Sequence, residues 1–474
     1  MSKRPSLTRR GAFGRGLAVS VAGLRAGGAF ALDSALSRLR GGDGQDSALL
    51  RREARRFVAE LGRLKGTYVK IGQMFALLGE HFLPPALTEA LHELESATEP
   101  LPWPEIEPAL REALGARLDE LDVEPEAIAA ASLAQVHRAT IRKTGETIVL
   151  KVQYPGLADV IDSDFDAVVR MLLLARWIKA GRELDDWLGS LRQQLHNEID
   201  YEREAAIGDR VAALVAERRE AFAERGIRYH VPVRHARYCA DTVLALEYID
   251  GDPVGSPAVA RLSLGRRNAL GRGMLELFFL ELYEWGLLQT DPNFGNFLIR
   301  RRPEGDELVL LDFGSTLYCD DDFLTNLGSA IAAGQRQDRE ILVEALVGLG
   351  CLREDSSDFA RQTFSDFCLQ LLEPLRPPEA LPKEHLNRRG EYCWGRSRLM
   401  QRVGRQAATS AATRHFTTPT REFAMIARKL TGVFTFIAVL DAQFNAHDTV
   451  HDYIDDAVDD PVDNHAGEEG ETAP

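Results

Sequence analysis

The segments Gln289-Thr290-Asp291-Pro292-Asn293-Phe294-Gly295-Asn296 and Leu310-Leu311-Asp312-Phe313-Gly314 lie in the second half of the 474-residue chain, separated by a strand-like passage. Among their oxygen-bearing side chains, Asp291, Asn296 and Asp312 have the spacing of interest. A short loop can direct Asp291 towards a reacting group, while Asn296 and Asp312 approach one cation from two segments. Mg²⁺ prefers such oxygen ligands and takes its remaining ones from water and phosphates. These segments therefore predict a site for Mg²⁺ and a phosphate chain.

The order of these residues, an aspartate, an asparagine five positions later and then Asp-Phe-Gly, is typical of kinase-like phosphotransferases. Such a site also needs a lysine, and Ile148-Val149-Leu150-Lys151-Val152-Gln153 provides one within a β-rich run. An ammonium in a central strand requires a partner charge. We expect Glu204 to be that partner, while Glu198 and Asp200 are separate candidates for metal binding or a second contact.

An alanine-rich segment, Ala129-Ala130-Ala131-Ser132, precedes the lysine strand at the place where ordinary kinases have a glycine-rich loop. Backbone N–H groups in a tight turn attract phosphate. Alanine does not reach positive φ angles as freely as glycine does. We therefore expect Ala129, Ala130, Ala131 and Ser132 to form a stiffer nucleotide-binding loop.

These segments, together with Lys70-Ile71-Gly72-Gln73 and the Glu-x-Asp of Glu198 and Asp200, resemble the UbiB/AarF (ADCK-type) atypical kinase family. The match covers roughly residues 60 to 440. The resemblance implies an α+β, bilobal protein-kinase-like fold, with a small β-containing N-lobe, a mostly helical C-lobe and a helical N-terminal extension.

The resemblance implies further that the helix bearing Lys70, Gly72 and Gln73 lies over the nucleotide cleft, with Glu198 and Asp200 in the same regulatory region. A helix in that position would disfavour phosphorylation of other proteins. A lysine and a glutamine on a helix flank can also serve solubility alone, and that alternative applies to any isolated occurrence.

In the chemistry that we predict, Lys151 holds the α- and β-phosphates and is oriented by Glu204. Asn296 and Asp312 hold Mg²⁺, which neutralises charge as the γ-phosphoryl group leaves. Asp291 orients or deprotonates the acceptor.

Residues 241–251 resemble the hinge between the lobes of a kinase. Backbone groups around Glu247 and Tyr248 would there hold the adenine of ATP or ADP. Backbone contacts leave little trace in side chains, so the sequence supports this assignment only by resemblance.

For activity, the resemblance implies an ATPase or phosphotransferase that supports ubiquinone or related isoprenoid-quinone biosynthesis, alongside partner enzymes and an isoprenoid lipid. Two alternatives remain open. One is a pseudokinase scaffold that binds a nucleotide without turnover. The other is a small-molecule phosphotransferase of the aminoglycoside or choline kinase kind, although the Lys-x-Gly-Gln helix is not part of that pattern.

The composition limits the remaining functions. A net charge of −15 argues against a general nucleic-acid binder. No apolar run reaches the roughly 18 residues of a spanning helix, so we expect any membrane contact to be peripheral. The five cysteines are scattered without a metal-binding spacing, which favours a reducing compartment.

The expected domain organisation follows from these segments. It comprises a basic flexible N-terminus (1–45), a helical extension with the Lys-x-Gly-Gln motif (46–125), a kinase-like N-lobe with a helical insertion (126–255), a kinase-like C-lobe (256–445) and an acidic disordered tail (446–474). The basic N-terminus is either an organellar presequence or membrane-binding arm, or a disordered arm without such a role.

We expect a cytoplasmic protein, peripheral on the bacterial inner membrane, or a matrix-side protein in a eukaryote. A purely structural role is expected for the helix over 419–434.

Overall fold

The computed structural model describes residues 48–64, 66–78, 83–92, 94, 100–175, 177–178, 182–411 and 420–459. The chain divides into two compact units. The first is drawn from Met1–Arg210 and Pro232–Tyr248, and the second from Val211–Val231 and Ile249–Pro474. The predicted basic segment, 1–45, lies outside the described residues.

Helices make up most of the first unit. Their bounds are α1 Ala48–Leu64, α2 Thr67–Leu78, α3 Pro85–His92, α4 Trp103–Leu114, α5 Leu157–Leu174, α6 Arg182–Asn197 and α7 Tyr201–Glu217, the last of which continues into the second unit. Tyr68, Ile71 and Phe75 recur at helical spacing along α2 and are buried. The ring of Phe75 lies 6.2 Å from that of Phe165 in α5 and 5.2 Å from that of Trp187 in α6. The apolar side of α2 therefore packs onto α5 and α6.

A four-stranded antiparallel sheet provides the rest of the first unit. Its strands are β1 Leu121–Ala130, β2 Ala134–Ile141, β3 Thr147–Gln153 and β5 Val243–Glu247, in that spatial order, whereas the short β4, Tyr229–His230, belongs to the second unit. Ile148, Leu150 and Val152 are buried in one cluster with α4. Because side chains alternate along a strand, Lys151 points to the opposite face.

The boundary between the helical extension and the sheet differs from the prediction. The extension was expected to run to residue 125, but β1 begins at Leu121 and pairs with Ile141. Pro125 gives the reason, because proline lacks the N–H that a helix interior requires. The register shifts between Val123 and Ala127, where an irregularity in the strand accommodates the proline.

The second unit is mostly helical with small sheets. Its further helices are α8 Arg219–Glu224, α9 Pro257–Ala260, α10 Leu264–Phe279, α11 Asp321–Arg336, α12 Arg339–Gly348, α13 Asp358–Leu371, α14 Trp394–Ser397, α15 Leu399–Ala411, α16 Arg421–Val439 and α17 His447–Asp459. Its further strands are β6 Leu288–Gln289, β7 Phe297–Arg300, β8 Glu307–Leu310 and β9 Thr316–Leu317. The sheets have the orders β4-β8-β7 and β6-β9. One π-helical turn, Leu280–Glu284, follows α10 and leads into the loop that carries Asp291.

The sequence predicts a disordered acidic tail over 446–474. The structure differs, because part of this segment is helical. Residues 447–459 form α17, in which Val450, Tyr453 and Ile454 are buried. Apolar residues at these spacings share one face of a helix, and burying that face stabilises the segment despite its charge. Residues 460–474 lie outside the described residues.

Among the helices of the described ranges, none combines the length and the apolar character that crossing a membrane demands.

Candidate active site

Lys151 of the first unit is paired with Glu204, as the sequence predicts. The ammonium Nζ donates to both carboxylate oxygens, at 2.7 and 2.9 Å, and it also lies 5.2 Å from the centre of the Tyr201 ring. The Glu204 side chain is 3% exposed, whereas that of Lys151 is 21% exposed. The carboxylate is thus fixed inside the unit, and the lysine retains an accessible side.

The acidic residues between α6 and α7 take other roles than pairing with Lys151. Glu198 forms an ion pair with Lys70 of α2 at 2.5 Å. Asp200 accepts the backbone N–H of Arg203 at 2.9 Å and so caps the start of α7. The structure therefore gives Glu198 and Asp200, which the sequence left open for metal binding or a second contact, a partner in α2 and a capping role.

Gln153 holds the segment between these acids against the sheet. It lies on β3, on the same face as Lys151, and is 4% exposed. Its amide nitrogen donates to the backbone carbonyl of Ile199, between Glu198 and Asp200. The strand that presents the lysine thus also holds the acidic segment in place.

The Lys-x-Gly-Gln residues lie on α2. Gly72 is in close contact with Leu94, and an added Cβ would overlap the Leu94 side chain. The amide nitrogen of Gln73 is enclosed and has no hydrogen-bond partner among the described residues. At the start of the helix, buried Thr67 donates to buried Asp164 of α5. Gly72 therefore allows close packing, and the Thr67–Asp164 hydrogen bond and the Lys70–Glu198 ion pair fix the helix.

The alanine-rich segment comprises the last two residues of β1, Ala129 and Ala130, and the start of the turn towards β2. Ala131 donates its N–H to the Ala134 carbonyl at 2.8 Å, and the Tyr154 hydroxyl donates to the Ala131 carbonyl at 3.0 Å. The described residues Ala129, Ala130, Ala131 and Ser132 have no positive φ angle. The segment is thus a braced turn that alanine can adopt.

The residues assigned to adenine binding lie at the end of β5. The carboxylate of Glu247 accepts the backbone N–H of Val233 at 3.2 Å. The Tyr248 hydroxyl accepts a hydrogen bond from Arg138 at 2.7 Å, and the Arg138 guanidinium stacks 4.3 Å from the ring. Both side chains are engaged within the first unit, so adenine binding here remains a prediction based on backbone groups.

In the second unit, Asp291 and Asn296 face each other across a short turn. Asn296 Nδ2 donates to Asp291 Oδ2 at 2.9 Å. Asn293 begins the turn by accepting the Gly295 N–H at 2.9 Å. Because Asn296 Nδ2 faces the aspartate, the carbonyl oxygen of this planar amide is directed away from it.

The pairing of β7 with β8 brings Asn296 close to Asp312. Phe297 pairs with Leu310, and the Leu311 N–H donates to the Asn296 carbonyl at 3.0 Å. The Asp312 Oδ1 atom accepts the Gly314 N–H at 2.9 Å, which holds its carboxylate in a tight turn. Residues sixteen positions apart in sequence therefore become neighbours at one sheet end.

This arrangement offers an amide oxygen and a carboxylate to a cation. No cluster of three or more His, Cys, Asp or Glu side chains at metal-binding distance occurs among the described residues. A site with two protein oxygens nevertheless fits Mg²⁺, which keeps several waters and binds substrate phosphates. The donor set of Asn296 and Asp312 is compatible with that ion.

Sequence reasoning gave α16 only a structural role, but two of its cations contact the Asp291 loop. Arg428 Nη2 lies 3.3 Å from Asp291 Oδ1. Lys429 Nζ donates to Gln289 Oε1 at 2.6 Å and lies 3.7 Å from Glu281 Oε2. The sequence signal that could have indicated this contact is the position of Lys429 among the apolar residues of an amphipathic helix.

Lys429 and Glu281 form a buried pair, with side chains 1% and 5% exposed. Burial raises the pKa of Glu281 to about 7, although the Lys429 ammonium and the Gln289 backbone N–H oppose this shift. Burial lowers the pKa of Lys429, against the opposing charge of Glu281. Both charged forms are thus less favourable here than they would be in water.

The sheet with the Lys151–Glu204 pair in the first unit, and the segments with Asp291, Asn296 and Asp312 in the second, are elements that a protein-kinase-like domain contains. The sequence profile of the ABC1 atypical kinase-like domain matches residues 93–346, more than half of the chain. The chain belongs to this atypical kinase family, which confirms the resemblance drawn from its motifs. Kinase-like domains generally use ATP and Mg²⁺.

Several characterised relatives share this domain. The atypical kinase COQ8 of Schizosaccharomyces pombe, a mitochondrial protein, is 28% identical over 421 residues, which cover 87% of this chain and 65% of that protein. Mitochondrial COQ8B of Rattus norvegicus is 29% identical, with 86% and 72% covered. The AarF domain-containing protein kinase 1 of Xenopus tropicalis is 29% identical, with 53% and 47% covered. The chain spans about half to two thirds of the length of the first three curated relatives it matches.

A solved structure has the same fold. The Rv3197–erythromycin complex from Mycobacterium tuberculosis aligns with a TM-score of 0.56, at 23% identity, over 86% of this chain and 96% of that chain. At this level of identity, the similarity concerns the fold alone.

Proposed function

We propose that this protein is an atypical kinase or ATPase that uses Mg²⁺ and an adenine nucleotide, and that it supports the biosynthesis of ubiquinone or a related isoprenoid quinone. The observation that carries the proposal is the pairing of β7 with β8. Through it Asn296 lies beside the residue preceding Asp312, while Asp291 bonds to Asn296 directly. A base and two hard oxygen ligands, brought together by one short loop and the β7–β8 hairpin, are the parts that phosphoryl transfer requires.

Lys151 supplies the phosphate contact in this proposal. Its ammonium is held by a buried carboxylate and keeps an accessible side, so it can meet anionic oxygens without first being reoriented. Glu204 sets its direction. Ala129, Ala130, Ala131 and Ser132 border the phosphates where β1 turns towards β2, with the Ala131 N–H already bonded to the Ala134 carbonyl. The backbone around Glu247 and Tyr248 holds adenine.

In the reaction, the bond between the γ-phosphorus and the β–γ bridging oxygen breaks as the acceptor oxygen bonds to the γ-phosphorus. Asp291 orients the acceptor and takes its proton, and the bond electrons leave with ADP. With water as acceptor the products are ADP and inorganic phosphate. Mg²⁺, when bound by Asn296 and Asp312, neutralises charge on the phosphates.

The acceptor in this proposal is water or a small lipid-related molecule. We infer that α2, with Lys70, Gly72 and Gln73, disfavours protein substrates, and that Glu198 fixes the helix through Lys70. The enclosed Gln73 amide nitrogen supports an inward-facing role for this motif, since a glutamine that served solubility would be hydrated.

The place of action is part of the proposal. The relatives named above include mitochondrial COQ8 proteins. We propose a peripheral membrane contact, with quinone-biosynthesis enzymes as partners, on the cytoplasmic side of a bacterial inner membrane or the matrix side of a mitochondrial one.

Mg²⁺-dependent ATP turnover by wild type and Asp312→Asn tests the enzymatic part. We expect the substitution to lower turnover by about 10²-fold or more, because a metal ligand stabilises developing phosphate charge by several kcal/mol. Asp355→Asn is a suitable control, because that side chain is 78% exposed. Equal turnover in wild type and Asp312→Asn would refute an enzymatic role for this site and favour a nucleotide-binding scaffold.

Lipid profiling of a strain that lacks the protein tests the pathway. We expect quinone levels to fall and to be restored by wild type but not by Lys151→Ala. Unchanged quinone levels would contradict the pathway, and a phosphorylated soluble metabolite would indicate a small-molecule phosphotransferase.

A further inference from the structure

One side of α16 follows the Asp291 loop from Gln289 to Phe297. Its contacts recur about once per helical turn, at Arg428 and Lys429, at Gly432 and at Phe436. The ring of Phe436 lies 5.8 Å from that of Phe294 and 6.0 Å from that of Phe297. This side of α16 is called the loop-facing side below.

Lys429 makes the most costly of these contacts. Its side chain is 1% exposed, so it cannot reach a ligand in solvent. Burying an ammonium is unfavourable unless it is paired and hydrogen-bonded. Lys429 meets that condition through Gln289 at 2.6 Å and Glu281 at 3.7 Å. The cation is therefore placed where it holds Gln289, two residues before Asp291.

Gln289 and Thr290 anchor the loop at the point where Asp291 emerges. Both are buried, and the Thr290 N–H donates to the Ser315 carbonyl at 2.9 Å. The Asp291 side chain is 30% exposed. A fixed Gln289-Thr290 pair consequently limits the directions that the next carboxylate can take.

Arg428 holds the other side of the same carboxylate. Its guanidinium lies 3.3 Å from Asp291 Oδ1, while Asn296 donates to Oδ2 at 2.9 Å. Kinases with a His-Arg-Asp loop have an arginine next to the catalytic aspartate in sequence. Here a cation reaches Asp291 from a helix 137 residues further along the chain.

Gly432 sets how closely α16 approaches the loop. A Cβ added at this position would overlap Pro292 Cβ and would come within 3.3 Å of Pro292 Cα. Glycine weakens a helix interior relative to alanine, so its presence here has a packing reason. Pro292 is rigid and directly follows Asp291, so it cannot move aside without shifting the aspartate.

We propose that the loop-facing side of α16 positions the Asp291 carboxylate, and that Lys429 and Gly432 are positioning residues for phosphoryl transfer. The inference rests on the proposed function, because it assigns the aspartate that α16 holds to the reaction. Neither residue offers an accessible side-chain group to a nucleotide, because the Lys429 side chain is 1% exposed and glycine has no side chain. Their substitution is therefore expected to change turnover and to leave nucleotide affinity intact.

The first test compares Gly432→Ala with Gly404→Ala, a glycine of α15 around which an added Cβ meets no atom within 4 Å. Both changes replace glycine with a better helix former. We expect Gly432→Ala to lower kcat by about 10²-fold, the effect of displacing a reacting group by about 1 Å, at unchanged KM for ATP. Gly404→Ala should keep the wild-type kcat. A wild-type kcat in folded Gly432→Ala would overturn the proposal.

The second test separates positioning from charge compensation and does not depend on Gly432→Ala folding. Lys429→Met leaves a buried Glu281, whereas Lys429→Met/Glu281→Gln removes both charges. We expect the double variant to recover the thermal stability lost in the single one but to keep its low kcat, because Gln289 still lacks its lysine. Recovery of kcat together with stability would show that Lys429 only compensates Glu281.

A third measurement separates failure of this inference from failure of the proposed function. Amide hydrogen exchange over residues 288–297 reports the loop whether or not ATP is hydrolysed. We expect faster exchange there in Gly432→Ala and in the double variant, with MgADP affinity unchanged. Unaltered exchange in both would refute the positioning role. Faster exchange in a protein whose wild type does not turn over ATP would refute only the enzymatic assignment.

Discussion

Each unit holds a lysine–glutamate pair beside residues of the candidate site, and the two pairs differ in exposure. Lys151 is 21% exposed and bonds to Glu204 at 2.7 and 2.9 Å. Lys429 is 1% exposed and lies 3.7 Å from Glu281, with its short bond going to Gln289 instead. The first cation can meet a ligand, and the second can only hold the protein.

The difference shows that a lysine–glutamate pair can serve either of two purposes, depending on how deeply the lysine is buried. A carboxylate fixed inside the protein orients an accessible ammonium towards anions. A fully buried ammonium costs desolvation energy, and its benefit lies in the loop that it fixes. Nucleotide affinity should therefore depend on the first pair, and the rate of the chemical step on the second.

The largest effect is expected from breaking the Lys151–Glu204 pair. Lys151→Met should raise the Kd of MgADP and lower ATP turnover by about 10²- to 10³-fold, as when one charge-stabilising donor is removed. It should also lower the free energy of unfolding by about 3 kcal/mol, because Glu204 keeps a buried charge without its lysine.

The matched variant Lys151→Met/Glu204→Gln should recover stability, measured by urea unfolding, without recovering MgADP binding. Wild-type affinity in either variant would remove Lys151 from the nucleotide site. The two pairs would then no longer differ in function.

Thr67→Val examines a buried acid that is held by a neutral donor. Thr67 and Asp164 are buried, and the hydroxyl donates to the carboxylate. We expect the loss of about 2 kcal/mol in the free energy of unfolding, because a buried acceptor loses a donor. Urea unfolding of Thr67→Val beside Thr67→Ser, which keeps the hydroxyl, measures it. Equal losses in both variants would mean that packing, not the hydrogen bond, fixes α2.

Glu281→Gln should change the pH dependence of stability. The pKa of Glu281 is raised from 4.5 to about 7 in the folded protein, so the folded state retains a proton that the unfolded state has lost. This contribution is fully present below pH 4.5 and is lost as the pH rises to about 7. Between these limits it makes stability fall by about 1 kcal/mol per pH unit.

Unfolding free energies of wild type and Glu281→Gln from pH 4.5 to 7 give the two slopes. We expect the unfolding free energy of the variant to change less with pH than that of wild type. If the stability of wild type and variant changes with pH in parallel, Glu281 does not titrate in this range. The pKa of Glu281 would then be closer to that of an exposed carboxylate.

The smallest effect is expected at Lys70–Glu198, where the two side chains are 19% and 21% exposed. Lys70→Gln should lower the free energy of unfolding by less than about 1 kcal/mol, the usual contribution of a solvent-accessible ion pair. The loss should shrink in high salt, as measured by urea unfolding at two ionic strengths. A larger loss that does not depend on salt would show that Lys70–Glu198 behaves as a buried ion pair, like Lys429–Glu281.

The residues that sequence alone placed well are those with local or motif-level signals. A lysine in an apolar strand requires a partner, and the order of Asp291, Asn296 and Asp312 follows one short loop and one hairpin. The burial of Tyr68, Ile71 and Phe75 in α2 also has a local origin, because residues at that spacing share one face of a helix. The resemblance to the atypical kinases then followed from the order of these segments, and the family match confirms it.

Other features depended on contacts between distant segments. The contacts of Glu198 and Asp200 were left open by the sequence, and packing decided that Glu198 meets Lys70 and that Asp200 caps α7. The extent of the acidic tail was wrong because α17 is stabilised by burial of three apolar residues, which outweighs its composition.

By itself, the sequence determined the protein's family and which residues to consider for its candidate site, because residue types at short spacings limit which reactions are accessible. Only the tertiary structure decided the role of Lys429 and Gly432, since both look like ordinary helix residues until α16 lies against the Asp291 loop. The physical reason is that burial and close approach are properties of packed elements. They turn a solvated charge and a flexible glycine into groups that position another residue.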